Sequence, residues 1–226
     1  MIANDHLNRK NFSFVLHSHI PYVQGHGGWP HGTDWLYEAA CETYLPILGV
    51  ADGLRVAGIR GGLTIGVSPI LAEQLADPAF AAGFGAYVDM KIQAADADAA
   101  HFAREGASEL TSLARAWKAW YEGIRRDFED KWRGDVLGGF RALQDDGIIE
   151  IITCAATHGY LPLLGREESI QLQLRTAVES YIRHFGRRPR GIWLPECAYR
   201  PSYDWQYPLS PWSDRPPRRR PGIEQH

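Results

Sequence analysis

Cysteine is scarce in this 226-residue sequence, and its three copies, Cys41, Cys154 and Cys197, never fall at C-x-x-C spacing. An odd, scattered set fits reduced thiols better than a disulfide framework, so a cytoplasmic protein is expected. No apolar run approaches the roughly 18 residues that a spanning helix requires, and the opening MIANDHLNRKN lacks the apolar stretch of a secretory leader. No membrane partner is expected. Excess charge of one sign is missing too: a formal net charge of -3 and a pI near 6.3 provide no basic field for a polyanion, which argues against nucleic acid. Repeats and low-complexity tracts are absent apart from RPPRRRP at 215–221. What remains is an ordinary globular composition, 45% hydrophobic and 23% charged, sufficient for one sizeable core. Eight tryptophans and ten tyrosines supply flat faces that suit sugar rings as well as protein interiors.

The apolar run NFSFVLH (11–17) predicts a buried first strand that ends on His17. After a Gly/Pro/His loop over 20–32, Thr33 or Asp34 can cap a helix that runs to about Ala57. Glu38 or Glu42 falls on its outer face, Pro46 predicts a kink, and Gly58 lies past its end. GGLTIGV (61–67) reads as a second strand, and Ser68-Pro69 opens a short helix closed by Pro78. Residues 80–146 are helical in character, with Trp117, Trp120, Tyr121, Ile124 and Phe128 at the three- and four-residue spacing of a core face. IIEIITC (148–154) is a third strand, 167–185 an amphipathic helix, and GIWL (191–194) a fourth strand that delivers Pro195-Glu196. Residues 201–226 hold 6 of the 14 prolines and show no helical or strand period.

Strands alternating with helices imply parallel pairing through crossovers. Four such units cannot close an eight-unit barrel, which takes about 250 residues. The expected fold is therefore α/β: residues 1–200 form part of a larger barrel with a helical insertion at about 80–146, and 201–226 form a cut Pro/Arg-rich loop.

Polar groups cluster just after the predicted strands: His17-Ser18-His19, Thr157-His158-Gly159 and Glu196. In a parallel barrel these ends share the face on which sites are built. A single histidine in such a place is often only a hydrogen-bonded structural residue, so the signal is convergence from three distant segments. Glu196, in WLPECAY, is expected to be costly to desolvate unless paired or used. His17-x-His19 also raises a metal site, because residues two apart on a strand point the same way. His158 and Glu196 could complete it; no aspartate follows a strand, and Cys197 is expected to point away.

FVLHSHIPYVQGHGGWP (14–30) resembles the first conserved region of glycoside hydrolase family 57, and ATHGYLPLL (156–164) the second in its branching-enzyme form. GIWLPECAYRP (191–201) resembles the third, which carries the family's nucleophile, and TIGVSPILAEQLAD (64–77) is similar to the branching-enzyme group. The resemblance implies an incomplete (β/α)7 TIM-like barrel, a retaining mechanism with Glu196 as nucleophile, and neither a catalytic metal nor a cofactor. It further implies that His17, His19 and His158 bind sugar hydroxyls or orient Glu196, with Trp29 and Trp193 as apolar walls; by position alone Trp193 could equally be core.

The implied partner is an α-glucan such as amylose or glycogen, and the implied reaction places α-1,6 branches during glycogen biosynthesis. Within the family, α-amylase and 4-α-glucanotransferase activities stay open. Outside it, a metal-dependent hydrolase or deacetylase and a non-catalytic glucan-binding remnant are the rivals. Retention needs two carboxyl groups about 5–5.5 Å apart. The family's acid is an aspartate of a fourth region, for which no counterpart is found up to His226. Asp204 and Asp214 lack its flanking pattern, and PGIE (221–224) resembles the start of the helix that follows the third region. A truncated chain is expected, inactive alone and prone to self-association at a broken barrel edge.

Overall fold

The computed structural model describes residues 12–206, 216–222 and 225. Four short apolar runs form one parallel sheet, β1 (Phe14–Ser18), β2 (Leu63–Val67), β3 (Glu150–Cys154) and β4 (Ile192–Trp193), in the order β1-β2-β3-β4. The register pairs His17 with Gly66, Gly66 with Ile152, and Cys154 with Trp193, so the C-terminal ends lie side by side. Neighbouring strands are about 4.8 Å apart, which would put the outer strands of a flat four-stranded sheet about 14 Å apart. Yet the His17 ring on β1 stacks on Trp193 of β4 with centroids 5.2 Å apart. The sheet is therefore curled into part of a TIM-like (β/α) barrel, with these side chains on its concave side.

The helix starting at Thr33 runs as α1 (Thr33–Ala39), a π turn (Ala40–Tyr44) and α2 (Leu45–Val56). Pro46 lacks the N–H for an ordinary helical bond, and the wider turn just before it absorbs the misfit. The short helix α3 (Pro69–Ala76) ends at Asp77, whose carboxylate accepts from the Ala79 N–H and opens α4 (Pro78–Arg104). α4 and α5 (Ser108–Arg126) form a helical hairpin, followed by a π turn (Asp127–Lys131) and α6 (Val136–Asp145). α7 (Glu167–Phe185) ends on Gly186, at φ 73°.

The core lies between the sheet and these helices, with Ile65 and Ile151 facing Leu71, Phe80, Phe84 and Phe140. The Tyr181 hydroxyl of α7 lies 2.8 Å from the Ile151 carbonyl and 2.9 Å from Gln144 Oε1, which itself accepts from the Ile151 N–H; one polar knot thus ties α6, α7 and β3.

Three expectations are corrected. β1 is not buried: Phe14, Val15 and Leu16 are exposed, because no strand covers its outer edge among the described residues. Trp117 and Trp120 are each 42% exposed, while Tyr121, Ile124 and Phe128 turn inward as their spacing predicts. α5 packs chiefly against α4, so only one side of its apolar face is covered. Finally, the segment read as structureless contains an antiparallel pair, β5 (Tyr203–Trp205) and β6 (Arg218–Arg220). Arg220 fastens it to the body by donating to the Leu164 carbonyl at 2.5 Å. Asp214, Ile223 and Glu224 lie outside the described residues.

Candidate active site

His17, the last residue but one of β1, lies beside Gly66 of β2, where a Cβ would come within 3.1 Å of His17 Nδ1. Glycine leaves the imidazole room to lie across the neighbouring strand. His17 Nε2 is 2.9 Å from His158 Nε2 in the loop after β3, and the His158 ring stacks on His19 with centroids 3.9 Å apart. His19 Nδ1 is held 3.0 Å from the hydroxyl of Ser68, which is buried just after β2. On the other side, His158 Nδ1 lies 3.6 Å from Glu196 Oε1, an ion-pair separation too long for a hydrogen bond. Four of the six expected site residues, His17, His19, His158 and Trp193, thus form one stacked cluster with the Glu196 carboxylate at its mouth.

The backbone marks the same place. Among the described residues four non-glycine positions have positive φ, and three belong here: His158 (57°), Glu196 (56°) and Cys197 (54°). Such conformations are sparsely populated by L-residues and persist where surrounding structure holds them.

Burial, reinforced by His158, pushes the His17 imidazole down to about 4, with Glu196 pulling weakly the other way. Burial likewise takes His19 to about 4, helped by His158 and His17, and it lowers His158 against the pull of Glu196. All three rings are neutral near pH 7. A proton on His158 Nδ1 faces the carboxylate, which leaves His158 Nε2 to accept from His17 Nε2–H. The His17 Nδ1 atom is then a buried acceptor with no hydrogen-bond partner among the described residues.

One expectation needs revision. Glu196 is not desolvated, since its side chain is 68% exposed; what distinguishes it is its left-handed backbone and the imidazole beside it. Trp29 is 78% exposed in the loop after β1, and none of the cluster's recorded contacts reaches it.

Sequence reasoning missed Ser68 and Cys154, although Cys154 ends β3, Ser68 directly follows β2, and the rule that singled out the histidines applies equally to them. His17, Cys154 and His158 have potential ligand atoms within 4.8 Å of one another, so the buried Cys154 takes the place in a metal-like trio that His19 and Glu196 were expected to fill. Asp204 lies on β5, paired with Arg219 at 3.3 Å. The groups recorded against Glu196 among the described residues are His158, His17 and Cys154, with no carboxylate in that set.

A curled parallel sheet with a carboxylate and stacked imidazoles at its strand ends defines a partial (β/α)-barrel protein with an enzyme-like site. The chain belongs to Glycosyl hydrolase family 57, whose model matches residues 13–204. It is 44% identical over 198 residues to the 1,4-alpha-glucan branching enzyme of Thermococcus kodakarensis, covering 87% of this chain and 28% of that protein. The solved GH57-type branching enzyme from Pyrococcus horikoshii matches with a TM-score of 0.86 and 43% identity, over 95% of this chain and 39% of that one. The alpha-amylase AmyC from Thermotoga maritima matches with a TM-score of 0.77 and 30% identity, over 86% of this chain and 36% of that one. The chain therefore spans well under half the length of each of these relatives.

Proposed function

We propose that this chain carries the nucleophile side of an α-glucan branching site. Glu196 attacks the anomeric carbon of an α-1,4-linked glucosyl unit and the glycosidic C–O bond breaks. The leaving oxygen takes a proton from an acid that the family resemblance assigns to a later region. A 6-hydroxyl of another chain then displaces Glu196 to form an α-1,6 branch.

The observation that carries this reading is the meeting of three distant motifs: Glu196 stands 3.6 Å from His158, which in turn reaches His17 at 2.9 Å. Neutral imidazoles can both donate to and accept from sugar hydroxyls, and the stacked plane of His17 and Trp193 offers an apolar wall. Trp29 is read as a second wall closing over bound glucan from its loop. Glycogen biosynthesis in the cytoplasm is the setting that fits; no described helix is long and apolar enough to cross a membrane. Hydrolysis in place of transfer is the second reading, favoured by the likeness to AmyC.

The test is iodine-stained amylose with linkage analysis. A chain extended through the fourth conserved region is expected to lower the stain and gain α-1,6 linkages, and its Glu196→Gln variant is not. The 226-residue chain alone is expected to be slower by at least the 10²–10⁴-fold that general acid assistance typically contributes, roughly the behaviour of that variant. Branching that survives Glu196→Gln would remove Glu196 from the nucleophile role. Full activity of the isolated chain would show that it already holds its acid.

A further inference from the structure

We propose that His17, Cys154 and His158 form a binding site for a thiophilic divalent cation of the zinc class at the strand ends. The glucan reading gives Cys154 no task, and the inference does not depend on that reading. Two imidazoles and a thiol are a donor set that selects zinc-like ions over magnesium or calcium. They come from two strands that lie on either side of β2, His17 on β1 and Cys154 and His158 at the end of β3 and in the loop that continues it, so the sheet order brings the trio together.

The spacing is close to what such an ion needs. Bonds of about 2.0–2.1 Å to nitrogen and 2.3 Å to sulfur in a tetrahedron put the two nitrogens about 3.3 Å apart and each about 3.6 Å from the sulfur. The two Nε2 atoms stand 2.9 Å apart, and one ligand atom from each of the three residues lies within 4.8 Å of the other two. Side-chain rotations of about an ångström suffice, opening the histidine pair slightly and drawing the sulfur in.

The surroundings also match. A ligating histidine ordinarily gives its other ring N–H to a carboxylate, which fixes the tautomer and strengthens the ligand. His158 Nδ1 already faces Glu196 Oε1 at 3.6 Å. On binding, the Cys154 thiol releases its proton to solvent and the thiolate bonds the ion. The His17 proton moves from Nε2 to Nδ1, so both Nε2 lone pairs become ligands. The ion thereby occupies the imidazole edges offered to a sugar, so cation and glucan exclude each other.

The probe is cobalt(II), titrated anaerobically into the reduced, chelator-stripped chain. Visible bands of a tetrahedral ion and a near-ultraviolet thiolate-to-cobalt charge-transfer band are expected, saturating at about one equivalent and bleached by zinc. Cys154→Ser should remove the charge-transfer band, and Cys197→Ser, at the exposed thiol, should leave it. Glu196→Gln should retain the bands while weakening affinity by about 10–100-fold, as loss of an outer-shell partner does. Should Cys154→Ser fail to fold, His17→Gln reads the same site and should abolish the tetrahedral bands. A wild-type chain without these bands overturns the proposal, as does a charge-transfer band that survives Cys154→Ser or vanishes with Cys197→Ser. None of these readouts involves glucan turnover, so failure here leaves the branching assay untouched.

Discussion

At the scale of single residues, burial sets the protonation of the cluster more strongly than the nearby carboxylate does. His17 and His19 are both held near 4 in the folded chain against an ordinary value of 6.5. Between those two values the unfolded chain binds protons that the folded one refuses, so stability rises with pH across the window. The contribution is complete above about 6.5 and is lost as pH falls towards 4. Thermal midpoints followed by circular dichroism should therefore drop on acidification, starting above the range where ordinary carboxylates titrate. The double variant His17→Asn, His19→Asn should show a flatter curve in the upper half of that window. Parallel curves for the two proteins would mean that neither histidine resists protonation in the fold.

At the scale of elements, the loop after β1 is held by one side chain from α3. Gln74 accepts from the Val23 N–H at 2.7 Å, and its amide donates to the carbonyls of Pro21 at 3.0 Å and Ile20 at 3.3 Å. Gln74→Leu keeps much of the bulk but strands a buried N–H, a loss worth about 1–3 kcal/mol. A lower urea midpoint with unchanged slope is expected, together with faster proteolysis within 20–32; an unshifted midpoint would mean that the loop is anchored elsewhere. Periodicity read from sequence performs well where both faces of an element have a partner. α7 was expected over 167–185 and is Glu167–Phe185; β2, β3 and β4 fall within their predicted apolar runs, and β1 runs one residue past its own, to Ser18. It fails where the partner is a matter of tertiary position. Trp117 and Trp120 share the apolar spacing of Tyr121 and Ile124, yet they lie on the part of α5 that the body does not cover. Arg218–Arg220 carries no apolar alternation and becomes a strand through pairing with Tyr203–Trp205. The site shows the same division: histidines and a glutamate after strands stand out by residue type, whereas Ser68 and Cys154 acquire meaning only when strand order sets them beside His19, His17 and His158.

At the scale of the whole molecule, the curled sheet has two outer edges, on β1 and β4, that no strand covers among the described residues. Phe14 is 58% exposed and Val15 50% exposed along β1, and Ile192 of β4 is open as well. An edge strand with free backbone groups and apolar side chains is a template for another chain, and native proteins usually blunt such edges with charge, proline or cover. A second apolar surface lies apart from it, where Leu113, Trp117 and Trp120 line one face of α5. Either surface could drive self-association, but they differ in what the contact offers. The sheet edge supplies unmet hydrogen bonds as well as apolar area, whereas the α5 face supplies area alone. The edge is therefore expected to dominate, and sedimentation velocity should show concentration-dependent association of the purified chain. Val15→Lys places a charge on the β1 edge and should shift the distribution towards monomer; Trp120→Glu should shift it less. The reverse ranking would assign association to the α5 face, and a dispersed wild-type monomer at high concentration would show that neither surface is sticky enough to matter.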